Sequence, residues 1–423
     1  MKKLLLLPIL FIALYSCDED IVIEPTPLYK TCLTFGPGDE AEIETAFLSM
    51  TDSTKIILEA GDYDFEGLSL DGLNTVLIQG AGKDQTTLDF SSQTSGGEGI
   101  SIRNTTNIIL RGFTAKDSKG DLVKLNQCTN VVLNNVNAVW TAVADSNSGG
   151  YALYPVLCTN VLIDSCHAQG ASDAGIYVGQ STNAVVRNST ASGNVAGLEI
   201  ENTTSADVYD NELFGNTAGL LIFDLKGLSK RGKDVQAFNN YIHDNNLGNF
   251  APSGGVVASV PAGTGVVHLA MSDVEYYDNV IENNNLTSIV VVSGFTGQPE
   301  ITPADINDNY NPFPKNITIR NNTMSKSATI PAATAGNQLG QALIGIHNAL
   351  LFLEAGTYTE MQHIVIDGIN SNALSGGTDV NPDNLCIDET EAQLFLNSDI
   401  ANAAAGPPTW QYSLDPTPYE VCQ

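Results

Sequence analysis

Asn107-Ile108-Ile109-Leu110-Arg111-Gly112 decides how this chain is read, because it comes back. Asn130-Val-Val-Leu-Asn-Asn135, Asn160-Val-Leu-Ile-Asp-Ser165 and Asn183-Ala-Val-Val-Arg-Asn188 repeat its pattern, a polar residue followed by alternation. The series continues through Ser205-Ala-Asp-Val-Tyr-Asp210, Asp234-Val-Gln-Ala-Phe-Asn239, Asp273-Val-Glu-Tyr-Tyr-Asp278, Asn316-Ile-Thr-Ile-Arg-Asn321 and His363-Ile-Val-Ile-Asp-Gly368. Successive starts lie 23, 30, 23, 22, 29, 39, 43 and 47 residues apart. Alternation with period two marks strands rather than helices, and a short recurring unit marks a solenoid. The shortest gaps hold one coil of three short strands and their turns, and the longer gaps are the same coil carrying a loop. The expected fold is all-β, a single-stranded right-handed parallel β-helix.

The sixth position of each segment gives a second test. It reads Gly112, Asn135, Ser165, Asn188, Asp210, Asn239, Asp278, Asn321 and Gly368. Stacked coils would set these side chains about 4.8 Å apart, close enough for amides and hydroxyls to bond along the stack, so the asparagines read as structural. A second strand precedes the first in several coils: Gly99-Ile-Ser-Ile, Leu122-Val-Lys-Leu, Gly175-Ile-Tyr-Val, Gly197-Leu-Glu-Ile and Gly219-Leu-Leu-Ile. In that register Cys128 and Cys158 occupy equivalent places on adjacent coils, as a disulfide or as two buried thiols.

Open solenoid ends invite further strand pairing and are usually capped. Residues Glu40 to Met50 read as a short amphipathic helix over the first coil, with Asp39 as N-cap. From Asn384 the alternation fails, and residues 384–423 read as a C-terminal capping tail, with Cys386 and Cys422 able to close it. The β-helix itself is expected over residues 31–383.

The start of the chain is an address. Met1-Lys2-Lys3, an apolar run from Leu4 to Leu14, and Leu14-Tyr15-Ser16-Cys17 describe a signal peptide over 1–16. The tetrapeptide resembles a bacterial lipobox, which implies lipidation of Cys17, a linker over 17–30, and membrane attachment only through that anchor. Asp18-Glu19-Asp20 resembles the acidic tag of surface-exposed outer-membrane lipoproteins. Lys and Arg number 18 against 48 Asp and Glu, a net charge of −30. That balance excludes nucleic acid as a partner, and no C-x-x-C pair suggests zinc.

Asp173-Ala-Gly-Ile-Tyr-Val-Gly-Gln-Ser181, Val195-Ala-Gly-Leu-Glu-Ile-Glu-Asn202 and Gly219-Leu-Leu-Ile-Phe-Asp-Leu225 resemble a family of exported bacterial parallel β-helix repeat proteins. Asn249-Phe-Ala-Pro252, Val260-Pro-Ala-Gly-Thr-Gly265 and Tyr310-Asn-Pro-Phe-Pro314 extend the resemblance over most of the mature chain. It implies a pectate-lyase-like fold, shared with polysaccharide lyases and epimerases, and carries no assigned activity. The Asp-Pro-His-Asp motif of the alginate C5-epimerases is absent.

Chemistry on such a fold belongs on the outer face of a stacked sheet. The outward columns of the second strand read Ser101, Lys124, Tyr154, Tyr177, Glu199 and Arg103, Asn126, Val156, Gly179, Glu201. The candidate catalytic residues are Asp173, Tyr177, Glu199, Glu201 and Asp224. Glu199 and Glu201 share a face about 6.6 Å apart along the backbone, a spacing for an acid and a base or for calcium between carboxylates. Lys226, Lys230, Arg231 and Lys233 follow on one loop and, with Asn249 and Phe250, are the candidate substrate-binding groups. Phe295, Tyr310 and Phe313 either stack on sugar rings or pin their loops. His243 lies near these loops, and His268, in an apolar strand, reads as a packed residue.

Three readings follow as expectations: a polyuronate lyase or epimerase, a non-catalytic module that binds a glycan or another exported protein, or a purely structural surface protein. A monomer is favoured, and calcium is the one cofactor the carboxylates suggest.

Overall fold

The computed structural model describes residues 29–307, 309–325, 337–354, 362–389, 395–405 and 409–420. Cys17, the acidic tag and Cys422 lie outside them. The strands stack in parallel, coil on coil, as the repeat requires. One coil runs Ala196–Glu201, Thr204–Tyr209 and Glu212–Phe214, and the next begins at Ala218–Phe223. The first strand of each coil joins an eleven-stranded sheet, and the other two build the remaining faces.

Alternation decides which side chains fill the interior. Ile176, Leu198, Leu220, Val266 and Ile289 pair in register along one inward column and belong to a single core. Each such side chain contributes roughly 1.5–3 kcal/mol by leaving water. His268 takes an inward position between Ile222 and Val291. Its Nδ1 lies 2.8 Å from the Tyr276 hydroxyl and its Nε2 2.9 Å from the Met271 carbonyl. Burial pushes its pKa down to about 4, so it is a neutral packed residue.

The sixth-position column performs a different task from the one its composition suggests. Asn135, Ser165, Asn188, Asp210, Asn239, Asp278 and Asn321 all have φ between 49° and 59°, with Gly112 at 68° and Gly368 at 80°. They are left-handed turn residues, which Asn, Asp and Gly tolerate best. The buried ladder is one residue further on. Asn211 Nδ2 donates to Asn240 Oδ1 at 3.0 Å, Asn240 to Asn279 at 3.0 Å, and Asn279 to Asn322 at 2.9 Å. A second ladder runs through Asn194, Asn216, Asn245 and Asn284 at the next corner. These amides also bond backbone groups, so the corner leaves few buried polar atoms unpaired.

Two further expectations are corrected, and the cysteine alternatives are decided. His363–Gly368 is not a ninth copy of the quoted segment, since Ile364–Ile366 pairs with Thr287–Val292 in the eleven-stranded sheet. The ninth copy is Asn384-Leu-Cys-Ile-Asp-Glu389, where Leu385–Asp388 pairs with Lys315–Arg320. Regular pairing therefore passes residue 383 and ends with Phe395–Asn397 against Ile364–Ile366. A long loop hid this register by separating Asn384 from Asn316 by 68 residues. Cys128 and Cys158 stack on adjacent coils as free thiols, their Sγ atoms turned to backbone carbonyls of the coil beneath. Cys386 is disulfide-bonded.

The helix Glu40–Leu48 buries Ile43 and Phe47 against the first coils, as a cap should. Asp39 does not cap it, because its carboxylate accepts from the Gly36 N–H instead. A second helix, Gln338–Leu353, lay unread in the sequence. Asn337 caps it by accepting from the Gly340 N–H at 2.9 Å. Leu343, Ile346 and Leu350 form its buried stripe. Among the described residues no helix is long and apolar enough to cross a membrane.

Candidate functional site

The outer face of the eleven-stranded sheet divides into two halves. One outward column runs Ser101, Lys124, Tyr154 and then Tyr177, Glu199, Leu221, Val267, Val290 and Val365. From Leu221 onward it is apolar and fully covered, as is its neighbour column of Phe223, Leu269 and Val292. The cover is the stretch 248–263, through Val257 and Val260, and the helix Gln338–Leu353, through its buried stripe. Before Leu221 the columns are polar and aromatic. The expected site lies on the boundary.

Tyr177 pairs with Glu199 across adjacent strands, and Gly179 with Glu201. A side chain at Gly179 would meet the Tyr177 hydroxyl at 2.0 Å. Without one, the Tyr177 ring lies along its own strand and its hydroxyl donates to Glu201 Oε1 at 2.6 Å. Tyr151 donates to Asp173 Oδ2 at 3.0 Å. The rings of Tyr151, Tyr154 and Tyr177 cluster with centroids 4.3–5.0 Å apart, above a floor of Ala174, Ala196 and Ala218. Lys124 Nζ lies 4.9 Å from the Tyr154 ring centroid and pairs with Asp121 and Glu98.

Glu199 is 3% exposed, and no hydrogen-bonding group among the described residues meets its carboxyl. Burial, then the charges of Glu201 and Asp173, hold its pKa well above the ordinary carboxylate value. Burial also raises Glu201, against the Tyr177 hydrogen bond that favours its ionised form, and lifts Asp173 to about 7. Tyr177 keeps its proton, for burial and the adjacent carboxylates both raise its pKa far above the usual phenol value. Three carboxyls and a phenol therefore share one patch with their affinities for a proton all raised, a perturbation typical of functional sites. Among the described residues, no three Asp, Glu, His or Cys side chains converge to hold a metal ion.

The sequence-predicted residues thus separate. Asp173, Tyr177, Glu199 and Glu201 come together. Asp224 is fully buried, its Oδ2 2.5 Å from Arg231 Nε and its Oδ1 accepting from the Gly232 N–H. It ties down the loop that leaves its strand. Lys226 pairs with Asp305 at 2.7 Å, Lys230 donates to the Thr182 hydroxyl, and Lys233 pairs with Asp234. These three cations bond away from the carboxyl patch. Asn249 holds the carbonyls of Val257 and Val260, and Phe250 packs on the apolar cover. Tyr310 and Phe313 are buried loop pins. Sequence reasoning missed Tyr151 as the partner of Asp173. Its signal is its register place opposite Ala174, one residue after Asp173.

Comparison with solved structures finds distant similarities. The A-module of the Azotobacter vinelandii mannuronan C-5 epimerase AlgE4 is 17% identical, over 70% of this chain and 89% of that one, with a TM-score of 0.47. The catalytic unit of the GH87 α-1,3-glucanase of Streptomyces thermodiastaticus is also 17% identical, over 68% and 43% (TM-score 0.42). Pectate lyase Pel9A is 13% identical, over 73% and 80% (TM-score 0.38). No curated protein matches the chain in sequence. The profile of the right-handed β-helix region matches residues 55–211 and 143–306, and the chain belongs to that family.

Proposed function

We propose that this protein is an exported, lipid-anchored, carbohydrate-active β-helix of the polyuronate lyase or epimerase kind, displayed on the outer membrane through Cys17. The supporting observation is the buried, unpartnered Glu199 carboxyl beside the Tyr177–Glu201 hydrogen bond. A neutral Glu199 can donate to a uronate carboxylate, where an ionised one would repel it. Glu201, its proton affinity raised, takes the C5 proton. The C4–O bond breaks as the C4=C5 double bond forms, and the Tyr177 phenol protonates the departing oxygen. Glu201 then returns a proton to Tyr177 along their hydrogen bond. In the epimerase outcome water gives a proton to the opposite face of C5, the hydroxide left behind takes the proton from Glu201, and no bond to oxygen breaks.

The test is a proton NMR spectrum of mixed polyuronates before and after incubation with the soluble protein lacking Cys17, calcium present. New signals from unsaturated ends or altered epimer ratios are expected, and Glu201→Gln, which removes the base, should abolish them while the circular dichroism spectrum stays unchanged. An unchanged spectrum with folded wild-type protein sinks the lyase and epimerase reading. A non-catalytic module that binds a glycan or a protein is then the better account. The 3% exposure of both Tyr177 and Glu199 favours that second reading, since a ligand touches them only at the edge of the cover.

A further inference from the structure

The outer face of the eleven-stranded sheet is covered from Leu221 onward and exposed at Ser69, and the carboxyl patch lies at the edge of the cover. Ser69, in register with Ser101 one coil away, is exposed, and Tyr154 and Lys124 are half-buried. Ser101 carries a buried hydroxyl with no hydrogen-bond partner among the described residues, on the outer face beside Lys124. From Ser69 to Glu199 the outward column crosses six coils, about 24 Å at the ordinary strand spacing. One coil beyond Glu199 the path stops, because Leu221 and Phe223 are covered by the apolar cluster that Val257 and Val260 help build.

The flanks are built as well. The loop after Asp224 folds back beside Gly179, with the Ser229 hydroxyl donating to Gln180 Oε1 at 2.7 Å and Lys230 Nζ to the Thr182 hydroxyl at 2.9 Å. On the other flank the stretch 141–150 is held where the Ser172 hydroxyl donates to the Ser148 carbonyl at 2.9 Å. A polymer lying along the column can leave toward the exposed Ser69, but it cannot continue past Glu199 and Glu201.

We infer that the protein works on the ends of glycan chains, seating the terminal unit against the cover over Leu221 and Phe223 and the rest of the chain toward Ser69. This rests on the acid–base reading of the same patch and adds to it which bond is reached. A chain interior cannot run across a face covered beside its reacting groups, whereas a chain end can stop there.

The experiment follows the polymer and its products together, using the soluble protein and a long polyuronate. End-directed action leaves viscosity nearly constant while mono- and disaccharides accumulate from the first time points, or confines changed epimers to terminal residues. Early loss of viscosity with fragments of many lengths, or epimers spread through the chain, overturns end selection and leaves the acid–base function standing. A polymer chemically unchanged throughout removes both.

Discussion

Tyr177 crosses Gly179 to reach Glu201, and the hydrogen bond it makes there, 2.6 Å long, exists because Gly179 has no side chain. The relationship joins three residues of two adjacent coils. A turn or a close backbone approach is the usual reason for a strand glycine. Here the reason is the path of a neighbouring side chain.

Gly179→Ala should therefore move Tyr177 off Glu201 without disturbing the coil. The expected result is turnover reduced about a hundredfold, with thermal stability within a few degrees of wild type. Activity equal to wild type in a folded variant would remove the Tyr177–Glu201 pair from the mechanism.

The carboxyl patch sets a pH dependence of stability. Asp173 binds its proton more tightly folded than unfolded, at about 7 against an ordinary 3.8. The folded state thus holds a proton that the unfolded state has lost, and stability falls as pH rises through that window, at up to about 1.4 kcal/mol per pH unit. Below it both states are protonated and the contribution is fully present, and above about 7 it is lost. Urea unfolding of wild type and Asp173→Asn should give midpoints that separate steadily between those two pH values, with the variant the more stable at neutral pH.

The ladder and the turn column can be told apart by substitution. Asn216→Ala leaves the N–H and the amide of Asn194 without their acceptor in a buried corner, a loss of about 1–3 kcal/mol for each group. Asn188, with φ of 49°, should tolerate glycine at little cost, while alanine costs about 1–2 kcal/mol. Denaturant midpoints on the three variants decide it. Equal losses for Asn188→Gly and Asn188→Ala would mean that its side chain, not its backbone, matters.

Arg231→Ala strands a fully buried Asp224 carboxylate. Removing one partner of such a pair typically costs about 3–5 kcal/mol, and the half-buried position of Arg231 places this case at the low end. The loss should be local, read as new tryptic cleavage at Lys226 or Lys230 in an otherwise folded protein. Asp224→Asn combined with Arg231→Ala should recover part of the protection.

The sequence by itself determined the solenoid. Strict alternation and a 22-residue minimum spacing admit one coil geometry, and an in-register stack follows because a slip of one residue would turn the whole inward column outward. The sequence also determined the grouping of Asp173, Tyr177, Glu199 and Glu201, since register alone brings equivalent strand positions of successive coils together. It misplaced the last coils, where a 68-residue gap erased the local signal, and it put the asparagine ladder one residue early. Composition at a turn does not separate a residue chosen for its φ from one chosen for its amide.

Only the tertiary structure decided which charges face one another. Lys226, Lys230 and Lys233 are close to the acids in sequence, yet the loop that carries them bends so that each bonds elsewhere. The wall beyond Glu199 is likewise a tertiary fact, made by a stretch and a helix that enter from other coils. Strand periodicity fixes where a side chain lies within its own sheet. What covers that sheet depends on loops whose paths are set by packing, and packing is written in no single stretch of sequence.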